Sequence, residues 1–81
     1  MHVRVKLFAI LKDRAGTGDV SLELAEGANV IDAANQLAKR FPSLADFLPR
    51  VAYAVDQAYC PATTVLHDGD ELALIPPVSG G

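Results

Sequence analysis

One segment decides most of what this chain can become. From Asn29 to Phe41 the apolar residues Val30, Ala33, Ala34, Leu37, Ala38 and Phe41 recur at three- and four-residue steps, which lays them along one stripe of an α-helix. Asn29 offers a capping side chain, and Asp32 stands three residues on, at capping-box spacing. Lys39 and Arg40 fall at the negative end of the helix dipole, and Pro42 ends the run. A helix with one apolar stripe must lay it against another layer, and the flanking segments supply one.

Those segments alternate with the period of strands. Val3, Val5, Leu7 and Ala9 are expected to face a core, with Arg4, Lys6, Phe8 and Ile10 on the opposite face. Leu11 to Gly16 reads as a loop or one helical turn. A second alternating run holds Val20, Leu22 and Leu24, and Gly27 marks the turn after it. Beyond the helix, Ser43 to Leu48 suggests a short helical turn closed by Pro49. Val51 to Val55 is apolar throughout and reads as a buried strand, Asp56-Gln57 as a turn, and Tyr59-Cys60 as a short edge segment ended by Pro61. Asp68-Gly69 signals another turn. Glu71 to Ile75 is the last strand, with Leu72 and Leu74 on one face and Ala73 and Ile75 on the other. The order predicts an α+β fold, a sheet with one main helix packed on one face.

At 81 residues the chain holds one small domain, expected over residues 1–75, with 76–81 as an extended tail. Such a body is too small for a deep private active site. Seven Lys and Arg against ten Asp and Glu give a net charge of −3, which argues against nucleic acid as a partner. Charge is uneven: residues 1–14 sum to +3 and residues 51–81 to −4, so the two ends of the chain are expected to lie near each other. A single cysteine, Cys60, excludes an internal disulfide framework and a multi-cysteine zinc site. No apolar run approaches the ~20 residues of a membrane span, and Leu7 to Leu11 is too short for a signal-peptide core. A cytoplasmic location is expected.

The tail is the most informative stretch. Pro76 and Pro77 cannot donate to a ladder and hold the chain extended. Val78, Ser79, Gly80 and Gly81 follow, and six residues at ~3.3 Å each reach roughly 20 Å. A Gly-Gly end has no Cβ and can enter a narrow tunnel in another protein.

With Leu7-Phe8-Ala9, Asp13 to Gly16, Val55-Asp56-Gln57 and the whole of Asp68 to Gly81, the chain resembles the ubiquitin-like β-grasp sulfur carriers, and within them the small subunits of molybdopterin synthase. Asp56 stands where Asn is often seen in that family, and Ser79 where Thr is common. The resemblance implies a β-grasp fold with a mixed sheet and a flexible Gly-Gly tail. It also implies a sulfur carrier in molybdenum cofactor biosynthesis. A ubiquitin-activating-like adenylyltransferase, using ATP and Mg, would adenylate the Gly81 carboxylate. A sulfur donor such as a cysteine desulfurase or a rhodanese-like protein would convert it to a thiocarboxylate. The tail would then deliver sulfur to a pterin precursor, cyclic pyranopterin monophosphate, inside the synthase large subunit, in a heterotetramer. This chain would bind no cofactor and no metal, and would be no enzyme alone. The thiamine-pathway sulfur carrier and a protein modifier conjugated through Gly81 share the same ending and stay open as alternatives.

Strand phase nominates a docking surface as well. Phe8 and Ile75 are large, apolar and out of phase with the core residues of their strands, and Tyr59 can join them on the edge. Contiguous exposed apolar side chains usually mark a contact site. Cys60 reads as a small buried hydrophobe rather than a nucleophile. His2 and His67 are far apart with no ligand-spaced partner, and Asp68 to Glu71 lacks the spacing of a calcium loop.

Overall fold

The computed structural model describes residues 1–77; Val78, Ser79, Gly80 and Gly81, which the sequence reading places in the tail, lie outside the described residues. Five strands, β1 (His2–Leu7), β2 (Asp19–Glu23), β3 (Ala52–Val55), β4 (Ala58–Cys60) and β5 (Glu71–Ile75), form one sheet in the order β2-β1-β5-β3-β4. The first and last strands pair in parallel at its centre, Val5 opposite Leu72 and Leu7 opposite Leu74. All other pairings are antiparallel. The two ends of the chain therefore do lie together, and backbone bonds do the joining: Arg4 N–H donates to Asp70 O at 3.0 Å and Gly69 N–H to His2 O at 2.8 Å. This mixed sheet crossed by one main helix is the β-grasp architecture.

That helix, α2, spans Val30–Arg40 between Asn29 and Phe41. Its capping box is reciprocal: the Asn29 side chain accepts from Asp32 N–H at 3.0 Å, and the Asp32 carboxylate from Asn29 N–H at 2.9 Å. Val30, Ala33 and Leu37 are fully buried against Val3, Val5, Leu22, Leu72 and Leu74. Two polar side chains on α2 reach the outer edge of the sheet. Gln36 Nε2 donates to Glu23 O at 3.2 Å and Arg40 Nη1 to Ser21 O at 3.1 Å.

Three expectations need correction. Ala9 is not a core strand residue, and of the two readings of Leu11 to Gly16 the helical one holds: β1 stops at Leu7, and Ala9–Ala15 form a second helix, α1. The ladder ends where Leu7 N–H turns to Gly18 O. Ala9 then takes a left-handed φ of 50°, which swings Leu11 into the core while leaving Phe8 and Ile10 outside. Gly16, at φ 79°, caps α1, a conformation that costs glycine little. Val51 to Val55 is not buried throughout: Tyr53 and Val55, which pack against the core, are half-buried, and of the two alanines on the outer face Ala54 is buried and Ala52 exposed. Pro49 does not close a turn but stands inside a 3₁₀ turn, Leu48–Arg50, which follows another at Pro42–Leu44. Neither helix among the described residues is long and apolar enough to cross a membrane.

Candidate functional site

The face of the sheet turned away from α2 has two halves. Leu72 and Leu74 point under the helix, so Ala73 and Ile75 point out. Register carries that face across the sheet: Ile75 lies opposite Ala52, Ala73 opposite Ala54, and Ala54 opposite Tyr59. Phe8 adds a ring from the end of β1. Phe8, Ala54, Gln57, Tyr59, Ala73 and Ile75 line one shallow depression of about 370 Å³. Phe8 is 47% and Tyr59 74% exposed, and Ile75 is half-buried. The three apolar residues expected to form a patch are thus brought together. Alanines at 54 and 73 keep its floor low between larger walls. Ala54 and Gln57 escaped the sequence reading, whereas Ala73 was already assigned to the outer face with Ile75.

The β3–β4 turn sets one wall. Asp56 and Gln57 take φ of 48° and 71°, the paired left-handed geometry of a two-residue hairpin whose twist matches the strands. Neither is glycine, and β5 holds the turn in place. Asp56 Oδ1 accepts from Glu71 N–H at 3.0 Å, and Asp56 N–H donates to Glu71 O at 2.9 Å.

The other half of the face is charged. Arg4 and Lys6 project from β1 opposite Ser21 and Asp19 of β2, and Lys6 Nζ forms an ion pair with Asp19 Oδ1. The hydrogen bond from Lys6 holds the Asp19 carboxyl below its usual value, aided by the Lys6, Arg4 and Lys12 charges and opposed by slight desolvation. His2 Nε2 lies 3.0 Å from Glu23 Oε1, both side chains well exposed.

The tail leaves from the middle of the sheet, since β5 is its central strand. Ile75 ends that strand and lines the depression, so the apolar half is continuous with the root of the tail. Pro76 and Pro77 belong to no regular element.

Other candidate groups take structural places. Cys60 is half-buried on the core side, opposite Tyr53. Asp68 Oδ1 accepts from His2 N–H at 2.7 Å and Asp70 Oδ2 from His67 N–H at 2.8 Å, so these carboxylates tie down the 67–70 turn. Among the described residues no group of three or more His, Cys, Asp or Glu is placed to hold a metal ion.

Comparison with known proteins agrees with this geometry. Residues 5–81 match the model of the ThiS family. A Mycobacterium tuberculosis protein named molybdopterin synthase sulfur carrier subunit is 45% identical over 82 residues, covering 100% of this chain and 99% of that one. The crystal structure of SAMP1 from Haloferax volcanii superposes with a TM-score of 0.92 at 30% identity, covering all of both chains. A complex of subunits 1 and 2 of the molybdopterin-converting factor from Helicobacter pylori contains a chain matching at TM-score 0.70 and 27% identity, again over all of both chains.

Proposed function

Because the chain belongs to the ThiS family, we propose that it is the sulfur-carrying small subunit of molybdopterin synthase, working through its C-terminal carboxylate. A carboxylate oxygen is a poor leaving group and AMP a good one, so activation comes first. The Gly81 carboxylate attacks the α-phosphate of ATP on a separate adenylyltransferase, with Mg, and pyrophosphate leaves. The terminal persulfide sulfur of a donor protein then attacks the acyl carbon and AMP leaves, and a thiol reductant cleaves the resulting acyl disulfide, so that the tail ends in a thiocarboxylate. That sulfur passes to the pterin precursor in the large subunit and becomes part of its dithiolene. The described residues contribute the grip, through Phe8, Tyr59 and Ile75. The tail residues Pro76 to Gly81 contribute the reach.

The observation that carries this reading is the full-length 45% identity to a protein named as the synthase's sulfur carrier subunit. The Helicobacter pylori complex, in which a similar chain is bound to its second subunit, supports the large subunit as partner, and a cytoplasmic site of action goes with it. The close superposition on SAMP1, a protein of the small archaeal modifier class, favours a second reading in which Gly81 is conjugated to other proteins. Intact-mass measurement of the chain purified from its own host separates the two. Replacing one carboxylate oxygen by sulfur adds about 16 Da, whereas conjugation appears as much heavier adducts. A population with neither change, under conditions of active cofactor synthesis, would defeat both.

A further inference from the structure

Among the described residues three that are not glycine take a left-handed φ, and all three border the apolar depression. Ala9, at φ 50°, directly follows Phe8, while Asp56 and Gln57, at 48° and 71°, make the β3–β4 turn. Strained backbone of this kind persists only where its surroundings over-determine it, and it gathers at functional sites. Asp56 has a local reason for its conformation. Aspartate tolerates the left-handed region, and its carboxylate accepts from Glu71 N–H at 3.0 Å. Gln57 has no such reason. It stands second in a two-residue hairpin, where glycine is the usual residue because it carries no Cβ. Its side chain is exposed, and among the described residues no hydrogen bond engages its carboxamide. Holding a side chain at residue 57 thus costs the free chain stability and secures no hydrogen bond within the fold.

What that side chain does face is the depression. Phe8, Ala54, Ala73 and Ile75 line it with apolar surface, Tyr59 adds a ring at the edge, and Gln57 supplies the one carboxamide. A partner that covers this surface strips water from the carboxamide, and an amide left unpaired there weakens binding. The complement has to be neutral. A charged group buried beside Phe8 and Ile75 would lose its own hydration, and a carboxylate would also meet the charge of Asp56 in the same turn. A carboxamide offers an acceptor oxygen and a donor nitrogen side by side. The N–H and C=O of one extended residue, which point the same way from the edge of a strand, match that pair.

We infer that Gln57 is the specificity-determining residue of the docking surface, its carboxamide pairing with the backbone N–H and C=O of one extended residue of the synthase large subunit. This rests on the reading that the large subunit grips the apolar depression. Phe8, Tyr59 and Ile75 adhere to any apolar surface of the right shape, whereas Gln57 penalises a surface that lacks the peptide group. The bonds from Asp56 to β5, its N–H to Glu71 O at 2.9 Å among them, fix the base of the carboxamide before the partner arrives, so less ordering is left for the encounter.

The test is calorimetric titration of the synthase large subunit with Gln57→Gly and with Gln57→Met, each beside a thermal melt of the free chain. Gln57→Gly relieves the left-handed backbone and should hold or raise Tm, yet weaken Kd about tenfold. Gln57→Met keeps the length of the side chain and the strain beneath it. It should leave Tm unchanged and weaken Kd at least as much, because the partner's peptide group is then covered and unpaired. A purely apolar contact predicts the opposite sign, since methionine would tighten it. Hydrogen exchange of the large subunit reads the partner group: one backbone amide slowed by the unaltered chain should exchange at its free rate in the Gln57→Met complex. Methionine binding as tightly as glutamine or more so, a Kd for Gln57→Gly within about twofold of the unaltered chain, or lost affinity with no change in amide exchange would overturn the inference and leave the carrier reading intact. Failure of the unaltered chain to bind the large subunit would overturn both.

Discussion

Replacing Tyr59 by alanine should separate docking from folding more cleanly than any other change in the apolar depression. A tyrosine offers ~200 Å² of surface, and Tyr59 is 74% exposed, so only ~50 Å² of it contacts the rest of the chain. At ~25 cal/mol per Å² that contact is worth about 1 kcal/mol, near the upper bound for the loss of strand propensity at an edge. In a domain of this length such a loss lowers Tm by roughly 4–8 °C. The remaining ~150 Å² is available to a partner and corresponds to about 3–4 kcal/mol if it is fully covered. Ordering the side chain removes part of that, leaving ~2 kcal/mol or more, about thirtyfold in Kd. Phe8 and Ile75 are poorer probes, because each is about half buried in the free chain and its truncation moves stability and affinity together. Calorimetric titration of Tyr59→Ala against the large subunit and against the adenylyltransferase, beside a thermal melt of the free chain, gives both quantities. An affinity within threefold of the unaltered chain for both partners would refute the docking role. A fall for one partner alone would show that the two grip different faces.

Three further outcomes are expected. Asn29→Ala removes the acceptor for Asp32 N–H and should cost about 1 kcal/mol in urea unfolding, with activity retained once the chain is folded. The Asp19 carboxyl has a lowered folded-state pKa, so its contribution is present above its unfolded value of 3.8 and is lost as pH falls through the folded value; the urea midpoint should therefore fall below about pH 4, and Lys6→Met should flatten that part of the profile. One residue added after Gly81 should abolish sulfur transfer with the melt unchanged while Cys60→Ala keeps it, and an active extended chain would show that the free carboxylate is dispensable.

What could be read in advance followed from how local the determinants were. Helix α2 was legible because its stripe, its capping pair and its stop at Pro42 all lie within fourteen residues. The face assignment of Phe8 and Ile75 followed from strand phase alone. The start of helix α1 was not legible, because Phe8-Ala9-Ile10-Leu11 fits an apolar strand as well as a helix. What decides between them is non-local: the ladder to β2 ends at Gly18, and only Leu11 of α1 is fully buried. The partial burial of β3 was hidden for a similar reason, since an apolar run does not reveal how far neighbouring elements cover each of its faces.

The bonds from α2 to the edge of β2 bear on how such a chain resists edge-to-edge assembly. Strand-by-strand polymerisation requires two open edges on every molecule. On one side Arg40 and Gln36 occupy the outward carbonyls of Ser21 and Glu23. On the other, β4 is three residues long, is followed by Pro61, and turns only the backbone of Tyr59 outward. A sheet with one occupied margin and one stub is a poor template for its own kind. An apolar face on such a sheet can then remain uncovered without seeding fibrils.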